Sequence, residues 1–199
     1  MSISLLTSNN TINEMRLKVN EIALTLYGGI SSTMDLIANT TITSSVTSIN
    51  FTNIQNTSYN SYRIHINNIV PFSPTTLALA IGVNGSFKIN NYNYKVDIRG
   101  TIDGFLYYGN AISAITIPLV GGTLLSTNIT YGNNFIIEIP ECSNTTSYKH
   151  IIFRGSYASN NNMYFINGAA NYNSTEAIDS FRIENGPFTS GTIKLYGIK

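Results

Sequence analysis

The chain has no tryptophan, one cysteine, five prolines and few charges, and each scarcity excludes something. A lone Cys142 rules out an intramolecular disulfide framework and a cysteine-built zinc site, because both need partners. Charged residues make up 11% of the 199 positions, against a usual share of about 25%. A formal net charge of +1 lacks the basic excess that phosphate recognition requires, so no nucleic acid partner is expected. No apolar run approaches the ~20 residues of a membrane-spanning helix, so no membrane insertion is expected. Residues 1–6 have neither the basic start nor the long apolar stretch of a secretory signal. The expectation is a soluble protein made in a cytoplasm.

What the chain does have is asparagine, serine and threonine for polarity, and 43% hydrophobic residues, enough for one core plus an appendage. The appendage comes first. Ile12, Met15, Val19, Ile22 and Leu26 return at intervals of three and four, the spacing of a coiled-coil seam. Thr11 and Glu14 form a capping box, each side chain meeting the other residue's backbone N–H. Gly28 and Gly29 stop the helix. Residues 1–30 therefore read as a helical attachment or oligomerisation segment, and 31–199 as a β-domain. The seam is short, so self-association and docking on another protein both stay open. Isoleucine at both kinds of seam position leans toward three strands.

Residues 30–41 read as a connector anchored by Met34, Leu36 and Ile37. Apolar residues then alternate at Ile49 and Phe51, at Tyr62, Ile64 and Ile66, at Leu77 to Val83, and at Tyr92 to Ile98. Asn84-Gly85 is a hairpin signal, since both positions of a type I′ turn need positive φ. Further strands are expected over 115–117, 134–139, 148–153, 181–183 and 191–198, with Ser190-Gly191 as a turn into the last. The segment 158–173 looks like a long polar hairpin or loop. The fold class expected is mainly β, an antiparallel β-sandwich or jelly roll preceded by one short N-terminal α-helix.

Residues 39–51 and 59–69, together with the ending Phe181-Arg-Ile to Tyr196-Gly-Ile198, are similar to a class of small bacteriophage virion proteins. The resemblance implies a β-sandwich of a tail-fibre, head-fibre or capsid-decorating protein, commonly trimeric. It implies partners in other copies of the chain and in capsid or tail proteins, and a place on the virion. It carries over no catalytic residue.

The residues themselves offer little chemistry. His65 sits opposite the apolar face of its strand, and His150 shares a face with Tyr148 and Ile152, which suggests partial burial. Neither has a carboxylate at a diagnostic spacing. Asp97 and Asp103 bracket a turn, Glu138 and Glu141 flank Pro140, and no Gly-X-Ser-X-Gly elbow or phosphate-binding loop is present. No enzyme, metal or cofactor is expected. Tyrosine stands out, at 13 residues. Tyr107, Tyr108, Tyr157 and Tyr164 fall where loops are expected, and are the candidates for contact with a receptor or host surface glycan.

Overall fold

Isoleucine, tyrosine and threonine recur at every second position through much of the chain, which favours strands with one apolar face. The computed structural model describes residues 34–54, 59–100, 104–112, 114–117, 124–159 and 162–199. The expected helix, with Ile12, Met15, Val19, Ile22 and Leu26, lies outside the described residues. Among those described, the regular elements are strands, and they pair antiparallel.

The strands are β1 (Met34–Ile42), β2 (Ile49–Phe51), β3 (Ser61–Pro71), β4 (Leu77–Val83), β5 (Ser86–Phe87), β6 (Tyr92–Gly100) and β7 (Gly104–Ile112). They continue with β8 (Ile115–Ile117), β9 (Asn133–Ile139), β10 (Lys149–Ser159), β11 (Asn162–Tyr172), β12 (Ser180–Glu184) and β13 (Phe188–Ile198). The larger sheet runs β1-β13-β3-β9-β10-β11-β6-β7, and the smaller runs β2-β12-β4-β5 with β8 also on β4. Four pairings are nested: β1 with β13, β2 with β12, β3 with β9, and β4 with β8. Two insertions widen the larger sheet. The β10–β11 hairpin follows β9, β6–β7 comes from the β4–β8 connection, and β11 pairs with β6.

One core joins the sheets. Ile64, Ile137, Ile193 and Leu195 from the larger sheet share it with Leu79, Ile81, Phe181 and Ile183 from the smaller. The Tyr62 ring meets Phe181 edge-on at 5.8 Å. Two glycines make room for core rings on neighbouring strands. A Cβ at Gly168 would come within 2.3 Å of Phe153, and one at Gly155 within 2.5 Å of Phe135. Asn84 and Gly85 have φ of 52° and 73°, as a two-residue turn between β4 and β5 requires.

Buried polar groups close the gaps that strand pairing leaves. Asn133 Nδ2 donates to the carbonyls of Ile69 (2.7 Å) and Ser126 (3.1 Å), and its Oδ1 accepts from Ala158 N–H at 3.3 Å. Lys149 is buried, and its ammonium donates to the carbonyls of Asn144, Ser147 (3.1 Å) and Thr175 (3.2 Å), tying two loops together. Three N–H donors meet three acceptors, which satisfies an otherwise costly charge. Cys142 is buried too. Its Sγ donates to the Ile139 carbonyl at 3.1 Å, and burial pushes the thiol up to about 12.

Several expectations change. The connector over 30–41 is an edge strand from Met34 onward, with Leu36 and Ile37 exposed instead of anchored. Gly191 lies inside β13, at an irregular stretch of the register, so Ser190-Gly191 is no turn. Tyr148, His150 and Ile152 do share a face, but it is the exposed one. Lys149, Ile151 and Phe153 point inward, because the carbonyl cage lets a lysine take a core position.

Tyr92 is a decisive side chain of β6. The edge of β4 that carries β5 and β8 leaves Ile81 between them, and the Tyr92 hydroxyl accepts the Ile81 N–H at 2.9 Å. It lies 3.2 Å from the Lys88 carbonyl, to which it donates, and burial raises its pKa to about 12. Tyr92→Phe is expected to destabilise the fold by about 1–3 kcal/mol, the cost of a buried donor left alone. Chemical denaturation measures it, and an unchanged midpoint would remove the hydroxyl from this role.

Candidate functional site

The outward face of the larger sheet is built by alternation. While Ile64, Ile66, Phe135, Ile137 and Phe153 face the core, their neighbours face out. Register aligns those neighbours into rows. His65 lies opposite Ile136, which lies opposite Arg154, which lies opposite Asn167. In the adjoining row Asn134, Ser156 and Phe165 are aligned. Together with Asn67 these two rows line a shallow groove of about 590 Å³ crossing β3, β9, β10 and β11. That volume is in the range of small-ligand sites.

Charge gathers at one margin. Glu138 Oε1 is held by Arg63 at 3.1 Å and lies 3.6 Å from Arg154, so one carboxylate is shared by two guanidinium groups. Arg154 is 62% exposed. Lys194 is paired in register with His65 and adds a third cation, whereas Asp97 is taken by Arg99 at 2.8 Å. The groove margin is therefore positive on a chain that is nearly neutral. Phe165, 62% exposed, supplies an open aromatic ring on the opposite side of Asn167 from Ala169. His65 lies under the Tyr196 ring (5.0 Å between centroids), with Nε2 covered and without a hydrogen-bond partner. The arrangement suits non-covalent recognition: an aromatic face, several amides and an arginine fork.

The tyrosines expected here lie elsewhere. Tyr157 and Tyr164 are cross-strand partners in β10 and β11, not loop residues. Both are buried, and their rings stack at 5.3 Å and 17°, with Phe135 stacked on the far side of Tyr157. The pair packs the core because it occupies the inward register of the hairpin, so neither ring can meet a receptor on this surface. Tyr107 and Tyr108 fall in β7, opposite Val96 and Lys95, and their side chains lie outside those described. Phe165 and Asn167 escaped the sequence reading because 158–173 looked like a long polar hairpin or exposed loop, and Arg154 because it directly follows the expected strand 148–153 and precedes Gly155. The signal was present: Tyr164, Ile166, Ala170 and Tyr172 fall on alternate positions, which turns Phe165 outward.

His65 generates a test. Burial first, then the positive Arg63, Lys194 and Arg154, hold its imidazole below the ordinary 6.5, with Glu138 opposing. As pH falls through about 6.5 the unfolded chain takes up a proton that the folded chain resists. Stability present above that pH is therefore lost as pH drops toward the folded pKa. Asp35, held low by its bond to Lys199, adds its loss in the separate carboxylate range. Urea unfolding between pH 8 and 5.5 should show a smaller loss for His65→Gln than for the parent chain; equal losses would contradict the assignment.

Among the described residues no three His, Cys, Asp or Glu side chains gather as a metal site. Comparison with known protein families, curated proteins and solved structures gives no match for this chain.

Proposed function

We propose that this chain is a non-enzymatic bacteriophage virion structural protein. In this reading it is a short trimeric head or tail fibre, or a capsid-decorating protein, made in the host cytoplasm and carried on the virion. The N-terminal segment attaches or bundles the copies, and the β-domain is displayed as a jelly-roll sandwich.

The observation that carries the reading is the nesting of the four pairings. Strands β1, β2, β3 and β4 pair in order with β13, β12, β9 and β8, which is how a long antiparallel ribbon wraps into a jelly roll. Such domains recur in viral capsid proteins. The seam at Ile12, Met15, Val19, Ile22 and Leu26 supports assembly, and the virion resemblance covers the strands at both ends of the wrapping. A surface rich in amides and hydroxyls, with little charge, suits a particle exterior. Function follows from copy number: contacts that are weak singly become firm when many are presented together. A second reading, a carbohydrate- or receptor-binding module of a tail-associated adhesin, is favoured by the groove on the larger sheet.

Sedimentation of the full chain against a chain beginning at Ser31 tests the first reading. The full chain is expected to run as a trimer that co-sediments with phage particles, and the shortened chain as a monomer. A full chain that stays monomeric at all concentrations and never accompanies particles would favour the module.

A further inference from the structure

We propose that the groove across β3, β9, β10 and β11 binds a segment of a carboxylated polysaccharide. The inference goes beyond an assembly role and would hold on either reading above.

The groove's chemistry selects this ligand class stepwise. Half of its outward side chains are amides or hydroxyls, namely Asn67, Asn134, Ser156 and Asn167, with Phe165 and Ile136 as the apolar members. Ile136 on β9 and Phe165 on β11 are separated by Arg154 and Ser156 of β10, so they do not join into the apolar centre of a protein interface. Amides beside an exposed aromatic face instead match a sugar, whose hydroxyls exchange hydrogen bonds while its axial C–H groups pack on the electron-rich ring. Arg154 adds a charge requirement. Arg63 (3.1 Å) and Arg154 (3.6 Å) share the one carboxylate of Glu138, so the margin keeps a positive excess, and the more loosely held Arg154 fork can donate edge-on to a second carboxylate. Arg154 and Phe165 lie one row and one strand apart, at the two sides of Asn167 and Ser156. An acid group and an uncharged sugar face can therefore be engaged together. Three cations gathered at one margin and offset by Glu138 cannot neutralise a phosphate at every nucleotide along the groove, so a sparsely charged chain fits better than a nucleic acid.

Titration calorimetry of the full chain with hyaluronate oligosaccharides tests this, with dextran fragments as the neutral probe and oligothymidylate as the densely charged one. Hyaluronate should bind and weaken with added salt, whereas dextran and oligothymidylate should bind at least about tenfold more weakly. Arg154→Gln and Phe165→Ser should each weaken hyaluronate at least about tenfold, with melting temperatures near the parent's because both side chains are exposed. Lys95→Gln, on the same face but outside the groove, should leave binding unchanged. The proposal falls if hyaluronate does not bind, if dextran or oligothymidylate binds as well, or if both groove variants bind like the parent. It also falls if those variants change the oligomeric state, which would assign the face to a second copy of the chain. A failure here leaves sedimentation with particles untouched, so the two readings fail separately.

Discussion

The last strand must enter between the first and the third, and the remaining architecture depends on that insertion. β13 hydrogen-bonds to β1 along one side and to β3 along the other, while Ile193 and Leu195 deliver apolar surface to the core. Without it β1 and β3 would each present an open ladder of N–H and C=O groups, and β1 would be detached from the rest of the larger sheet. The contacts that matter most thus join residues more than a hundred positions apart. Such a chain closes its longest loops late, and slow formation is the expected cost of this wrapping.

Side chains complete what backbone pairing cannot. The smaller sheet has a break along β4, and a tyrosine from the larger sheet fills it. Asn133 links β3, the 124–132 segment and β10. Lys149 holds the loop after β9 to the loop before β12. On the outer side of the smaller sheet Arg182 stacks over Phe87 at 4.4 Å and pairs with Glu184, which helps to cover the small residues Ala78 and Ala80 of β4. Polar groups here do structural work that composition alone would assign to the surface.

Strands whose two faces differ plainly were legible in the sequence. Tyr62, Ile64 and Ile66, Tyr92 to Ile98, and Phe135 to Ile139 point inward as their alternation implies. Asn84-Gly85 marks its turn because few residues tolerate positive φ twice in succession. Alternation misled where polar and apolar roles were exchanged. A buried lysine and an exposed isoleucine inverted the reading of β10, since Lys149 becomes an inward residue only through the carbonyls of the preceding loop and of Thr175. The asparagines left 158–173 as a long polar hairpin or exposed loop, which hid strand β11 and with it the groove, whose members come from four strands spread over a hundred residues. Spacing within one segment carries no information about a surface assembled by register between segments.

Cys142 bears on how copies of this protein can be joined. The single thiol lies beneath the end of β9, bonded to a carbonyl and far from the thiolate form at neutral pH. Oxidation cannot couple one folded copy to another while that packing holds. Any assembly must then be fastened by complementary surfaces alone, set by concentration and valency, and indifferent to the redox state of its surroundings.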